Sequence, residues 1–217
     1  MDTDGLHNHI WMRLVLDYGG TLVTSVDESQ YSKALSGEDS FPMGGYIAYK
    51  AFSLGIIESE ERYLELLSML TGASIEECKD YLADRRRAPE FPEEHRRVLE
   101  RLAHDHSLVL FTDQVRPWIR RDLKRLEIEE LFDDVIVSSD LGDEKPHPRG
   151  YARAEAGYDD VMMVSDELND DLLMADYFDM TTVWIKLSNE EIHFEPDYLI
   201  DDFVQVEEVI QKHLEER

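Results

Sequence analysis

Five short, almost continuous apolar runs punctuate the chain: RLVLD (13–17), LVLFT (108–112), VIVSS (135–139), VMMVS (161–165) and TTVWI (181–185). Strands that lack an apolar–polar alternation are covered on both faces, as in a parallel sheet packed between helices. The spacers supply those helices. Pro117 suits a first helical turn, because the N–H it lacks would have no partner there. Ile119, Leu123 and Leu126 then follow at offsets of four and seven. Residues 93–103, 168–177 and 203–214 read as further helices, the last with Phe203, Val206, Ile210 and Leu214 on one side. This alternation predicts an α/β fold with a doubly wound parallel sheet.

The first two runs are too far apart for a single crossover. Residues 24–90 read as a small helical subdomain inserted after the first strand, leaving 1–23 and 91–217 as the core, with 1–11 an N-terminal extension. Within the insertion, residues 59–70 space Tyr63, Leu66, Leu67 and Leu70 as a helix. Ser74 and Glu77 have the spacing of a capping box ahead of Ile75, Cys78 and Leu82. The glycines and prolines of FPMGGY (41–46) and RAPEFPEE (87–94) predict hinges.

Charge narrows the partners. A formal net charge of -27, from 49 acidic and 22 basic residues, repels nucleic acid and anionic membranes. Only seven of the basic residues are lysines, and so acidic and lysine-poor a surface resembles proteins of salt-accumulating archaea, the alternative being an ordinary acidic cytoplasmic protein. One cysteine, Cys78, rules out an internal disulfide framework and fits a reducing cytoplasm. No apolar run approaches the roughly 20 residues of a membrane span. The start, MDTDGLHNHIWM, lacks the basic and apolar regions of a leader. HNH (7–9), the acids Asp2 and Asp4, and RRR (85–87) read as solvated segments. The expected partner is a small molecule, and the expected state a cytoplasmic monomer or homodimer.

In a doubly wound sheet, ligands lie beyond the carboxyl ends of the strands. The residues expected there are Asp17, Thr112, Lys145 and Asp166. Two carboxylates suit Mg²⁺, a hard cation that keeps several waters. An ammonium and a hydroxyl neutralise and orient a phosphoryl group. An aspartate so placed can attack phosphorus and form an aspartyl-phosphate. The glycines after Asp17 allow a sharp turn with amides offered to phosphate oxygens.

These stretches resemble the haloacid dehalogenase-like (HAD) hydrolase superfamily through nearly the whole chain. LVLDYGGTL (14–22) is similar to the first motif. That resemblance makes Asp17 the nucleophile and a metal ligand, Gly19 a metal ligand through its carbonyl, and Gly20 a backbone contact to phosphate. LVLFTDQ resembles the second, with Thr112 the phosphate-binding hydroxyl and Asp113 beside it at the phosphate. SSDLGDEKPHPRGYARA resembles the third, giving Lys145 charge neutralisation. VMMVSDELNDDLLMAD resembles the fourth, with Asp166 a metal ligand and Asp171, or its neighbour Asp170, the supporting acid. The insertion falls where the family places a helical cap that helps select substrate. The resemblance implies a Mg²⁺-dependent hydrolase, most often a phosphatase of a small phosphorylated metabolite.

Gly19 is the main departure. The family's phosphatases carry there a second aspartate that protonates the leaving group and then activates water. Glycine keeps the carbonyl and loses the proton transfer, which is worth roughly 10²- to 10⁴-fold. A cap residue such as His95, an acidic leaving group or water would have to stand in. Haloacid dehalogenases lack that acid because halide leaves unprotonated; their aromatic typically lies two residues after the nucleophile, whereas Tyr18 is adjacent. Phosphonoacetaldehyde hydrolases have a small residue before Gly-Thr and need a cap lysine, for which Lys50 is the candidate. A non-catalytic phosphate-binding protein is the remaining alternative. Ser165 in place of a glycine, Asp170 in place of an asparagine and MAD (174–176) in place of a Gly-Ala pair are smaller departures.

Overall fold

A computed structural model describes residues 12–24, 40–85, 89–187 and 194–217. HNH, Asp2, Asp4 and most of RRR lie outside the described residues. Six strands form one parallel sheet: β1 (Arg13–Leu16), β2 (Ser107–Thr112), β3 (Asp134–Val137), β4 (Val161–Ser165), β5 (Thr181–Ile185) and β6 (Tyr198–Ile200). Their order is β3-β2-β1-β4-β5-β6. The five apolar runs all became strands. The sixth is a three-residue edge with Leu199 exposed, too short to stand out as an apolar run. β1 pairs with β2 on one side and β4 on the other, Leu16 lying opposite Leu110 and Val164. The strand order reverses there, which places the binding crevice beyond the carboxyl end of β1.

The sheet buries both faces. Leu14, Leu16, Leu108, Leu110, Met162 and Val164 pack in one layer with Val98, Leu99, Leu102, Ile119, Leu123 and Ile210. These come from α4 (Glu93–Asp105), α5 (Arg116–Arg125) and α9 (Val206–Glu215). The alternate residues Val15, Val109, Phe111, Ile136, Met163 and Trp184 pack in the other, with Tyr151, Leu168, Leu172 and Ala175. Two-sided burial is therefore why the runs show no alternation. A 3₁₀ turn, Phe203–Gln205, leads into α9, and Asp202 and Gln205 cap it reciprocally.

Residues 168–177 divide, against expectation, into a π-helical turn Leu168–Leu172 and a short helix α8 (Leu173–Tyr177). The wider turn carries Asp171 inward and leaves Asp170 exposed. Two helices escaped the sequence reading. α6 (Ser138–Leu141) is a single turn. α7 (Pro148–Glu155) hides behind Pro148 and Gly150. Gly150 is needed for packing, since a Cβ there would sit 2.2 Å from Phe111 Cζ.

The insertion supplies α1 (Ser40–Ser53), α2 (Glu60–Thr71) and α3 (Ile75–Arg85). FPMGGY is not a hinge: α1 runs straight through it. A Cβ on Gly44 would come within 2.9 Å of Thr71 Cγ2, so glycine serves the close crossing of α1 over α2. The capping box is present, with Ser74 N donating to Glu77 Oε2 (2.8 Å) and Glu77 N to Ser74 Oγ (3.3 Å). Phe52, Tyr63, Leu67, Cys78 and Leu82 form a third apolar cluster, which closes over Val115 and Trp118 of the sheet domain. Trp118 meets Phe52 edge-on at 5.4 Å and Tyr63 at 5.7 Å. Thr24 and Glu90, which bracket these three helices in the chain, meet where Thr24 N donates to Glu90 O (3.0 Å). Among the described residues no helix is long and apolar enough to cross a membrane.

Candidate active site

Asp17 directly follows β1, its N–H donating to Val164 O across the sheet (3.0 Å). Burial next to β4 leaves its side chain 9% exposed at the strand-order reversal. Lys145 reaches this point from the turn between α6 and α7. Its ammonium lies 2.6 Å from Asp17 Oδ1 and 2.5 Å from Asp171 Oδ2, and the lysine side chain is 4% exposed. Ser165, at the end of β4, donates its hydroxyl to the same Asp171 Oδ2 (2.7 Å). Thr112 ends β2 at the same edge and is buried. The structure thus joins Asp17, Lys145 and Asp171 directly, and sets Thr112 and Asp166 at neighbouring strand ends.

The turn after Asp17 closes on itself: Leu22 N and Val23 N both donate to Tyr18 O (3.1 Å), and Gly20 N donates to Val23 O (2.8 Å). The amide of Gly20 is therefore already used, and the expected backbone contact to phosphate at this residue is not available. Gly20 has another necessity. At φ +76, a Cβ would lie 2.0 Å from Asp166 Oδ2, so only glycine lets the turn pass the carboxylate. Thr21 Oγ1 then donates to Asp166 Oδ1 (3.4 Å), and Trp184 Nε1 to the Asp166 carbonyl (3.0 Å). Gly19 differs. Its φ lies outside the left-handed region and a Cβ would meet nothing within 4 Å.

Asp113 turns both carboxylate oxygens to the N–H of Lys145 at 3.0 Å. A carboxylate so placed holds the lysine's turn. His95, the suggested stand-in acid, is not on the insertion. It belongs to α4, with Nδ1 facing Leu22 O (2.8 Å) and Nε2 facing Asp202 Oδ1 (3.1 Å). Tyr18 is buried in the apolar layer of Leu14 and Leu16. Ser165, Thr21, Trp184 and Glu144 were missed. Only Ser165 left a sequence signal, as a hydroxyl where the family usually has glycine.

The electrostatics are those of crowded carboxylates. Burial, then repulsion from Asp171, pushes Asp17 up to about 6 despite Lys145. Burial and the charge of Asp17 push Asp166 up to about 7. Asp113 rises to about 7, again chiefly through burial. Lys145 is pushed well above its ordinary value, because the attraction of Asp17, Asp171 and Asp113 outweighs its burial. Among the described residues, no three His, Cys, Asp or Glu side chains form a ligand shell by themselves. Magnesium asks for less, one or two carboxylates with waters and substrate oxygens completing the shell. Asp17 and Asp166 fit that demand, being two oxygen donors whose mutual repulsion a divalent cation would relieve.

These three carboxyls bind protons more tightly in the native than in the unfolded chain. Their contribution therefore falls as pH rises from about 4, and is fully lost above about 7. In EDTA and molar KCl, which screens the surface charge, the unfolding midpoint should be lower at pH 7.5 than at pH 5.5. A change on the order of 2 kcal/mol corresponds to roughly 4–8 °C for a chain of this size. Added Mg²⁺ should raise the midpoint more at pH 7.5 than at 5.5. Equal response at both values would remove the carboxylates from the ion's site.

Residues 12–179 match a family model described as haloacid dehalogenase-like hydrolase. A glyceraldehyde 3-phosphate phosphatase of Pyrococcus furiosus is 30% identical over 129 residues, 54% of this chain and 53% of that protein. The chain spans about half the length of the curated relatives it matches. A solved 2-haloacid dehalogenase of Pseudomonas syringae pv. Tomato superposes with a TM-score of 0.68 at 19% identity, over 93% of this chain and 99% of that one. A HAD family enzyme of Bacteroides thetaiotaomicron, solved in complex with magnesium and inorganic phosphate, gives 0.68 at 15% identity, over 84% and 97%. At such identities the structural likeness is one of fold.

Proposed function

This chain belongs to the haloacid dehalogenase-like hydrolase family, and from that premise we propose that it hydrolyses the phosphate ester of a small metabolite, with Asp17 as covalent nucleophile. The observation that carries the reading is the buried ammonium of Lys145 set between Asp17 and Asp171. A carboxylate that must approach an anionic ester needs such a charge at the point of attack. The named activity of the Pyrococcus furiosus relative supports a phosphate ester over other substrates and makes glyceraldehyde 3-phosphate the first compound to try.

In this reading the Asp17 carboxylate forms a bond to phosphorus as the bond to the ester oxygen breaks, and the departing alkoxide takes a proton from water to leave as the alcohol. Water then attacks the phosphorus of the aspartyl-phosphate, releasing inorganic phosphate and restoring the carboxylate. Lys145 offsets the charge of the equatorial oxygens, and the Thr112 hydroxyl donates to one of them. Asp171, fixed by Ser165, keeps Lys145 charged and aimed. A magnesium ion held by Asp17, Asp166 and the Gly19 carbonyl would polarise the phosphoryl group and reduce its repulsion from the nucleophile. The helical insertion, 24–90, acts as the cap that excludes bulk water.

No side chain at position 19 can protonate the departing oxygen. Turnover should therefore depend steeply on the basicity of the leaving group. With Mg²⁺ and high salt, p-nitrophenyl phosphate should be cleaved at least ~10²-fold faster than glyceraldehyde 3-phosphate or other alkyl phosphates. Equal rates would place an acid elsewhere in the site. No phosphate release from any ester, with chloride release from 2-chloropropionate, would replace this reading by carbon–halogen hydrolysis, which the open space at Gly19 also suits. Carbon–phosphorus cleavage through Lys50 is disfavoured. Its ammonium is paired with Glu144, which outweighs burial and raises its pKa, whereas imine formation needs the free amine.

A further inference from the structure

Helix α1 of the cap grips the turn that carries Lys145. Lys50 and Ser53, three residues apart on α1, both bond the carboxylate of Glu144, the residue immediately before Lys145. Ser53 is fully buried at this contact. Tyr49, also on α1, donates its hydroxyl to the main-chain carbonyl of Asp113 (3.0 Å). Asp113 in turn holds the N–H of Lys145. At the end of α1, Gly55 adopts φ +67 and comes so close to Ser139 that a Cβ would lie 2.2 Å from its carbonyl oxygen. One cap helix thus holds the chain just before Lys145, at Ser139 and Glu144, and the residue that accepts the Lys145 N–H, Asp113.

The sheet needs none of these contacts, because its layers are filled by other residues. A buried ion pair contributes little net stability after desolvation. What it does supply is geometry. The ammonium of Lys145 must span to Asp17 and Asp171, and an error of about 1 Å there can cost on the order of 10² in rate. We propose that Glu144 is a positioning residue: docking of α1 through Lys50 and Ser53 onto Glu144 sets the turn that aims Lys145, so that the nucleophile's charge balance is complete only with the cap closed. This deepens the phosphatase reading and rests on it for its kinetic arm alone.

The test is a charge exchange in the full chain, comparing Lys50→Glu, Glu144→Gln and the double variant Lys50→Glu/Glu144→Lys. Ser53 can donate to a carboxylate or accept from an ammonium, so it tolerates the exchange. The first readout is hydrogen exchange of the segment containing Lys145, whose N–H is protected by Asp113. The second is kcat and KM for p-nitrophenyl phosphate. Lys50→Glu should speed exchange about 10-fold and lower kcat by about 10- to 10²-fold with a smaller change in KM. Glu144→Gln, which keeps the shape and loses the charge, should show a smaller change of the same kind. The exchanged pair should return both readouts to within about 3-fold of wild type. Unaltered exchange in both single variants would overturn the proposal, as would an exchanged pair no better than Lys50→Glu. If wild type cleaves no phosphate ester, the phosphatase reading fails, and the exchange arm still decides whether the cap sets the turn.

Discussion

Restoring an acid by Gly19→Asp should raise kcat on alkyl phosphates by about 10²- to 10⁴-fold, the range general acid–base catalysis supplies. The backbone already permits it. Gly19 lies outside the left-handed region, and a Cβ there has no neighbour within 4 Å, whereas at Gly20, with φ +76, a side chain would be strained and would displace Asp166. The gain should be confined to basic leaving groups. For p-nitrophenyl phosphate, whose phenolate departs unprotonated, it should be less than about 10-fold in the first step. The substitution also adds a fourth carboxyl to Asp17, Asp113 and Asp166, all already pushed upward. Metal-free stability at pH 7.5 should fall by about 1 kcal/mol, and Mg²⁺ should reverse the loss. Steady-state rates on a leaving-group series, wild type against variant, measure this directly. Equal slopes in the two proteins would mean that proton transfer at position 19 does not limit the reaction.

What the sequence made legible follows from how local each signal is. The strands were readable because two-sided burial removes polar residues from every position, so Leu14 to Leu16 or Val161 to Val164 leave no ambiguity of face. The convergence of Asp17, Thr112, Lys145 and Asp166 could be expected because a parallel sheet carries strand ends to a common edge. The choice between Asp170 and Asp171 could not, since it turns on a π-helical turn whose phase a regular 3.6-residue pattern does not give. FPMGGY reads as a hinge for a related reason: a glycine pair looks like a breaker until the helix crossing it is known. The bonds from Tyr49 to Asp113 and from Lys50 to Glu144 join residues 64 and 94 apart. They depend on how the cap docks, and no short pattern encodes that. His95 shows the same limit. Its sequence position lies next to the cap boundary, and its ring belongs to α4 and the start of the last helix.

Asp17→Asn should remove at least ~10³-fold of turnover and, at the same time, make the metal-free protein more stable. The loss follows from chemistry, because an amide cannot form the phosphoryl intermediate. The gain follows from the carboxyl's surroundings. Burial and Asp171 push Asp17 up to about 6 even with Lys145 in contact, so at pH 7.5 its ionised form is held against the preference of the site. A group whose folded value is raised costs stability above that value and none below its unfolded one. Replacing it by an uncharged isostere should therefore add on the order of 2 kcal/mol at pH 7.5, or roughly 4–8 °C in the unfolding midpoint, and almost nothing at pH 4. The same variant should lose most of the stabilisation by Mg²⁺, having lost a donor. Lys145→Met supplies the opposite sign. It leaves Asp17 and Asp171 facing each other with no cation between them, and breaking a buried pair from one side costs about 3–5 kcal/mol. Calorimetry on the two variants at both pH values separates a strained catalytic carboxylate from a structural one. A carboxylate placed to stabilise the sheet would make both substitutions destabilising, and only one held for reaction gives the divergence.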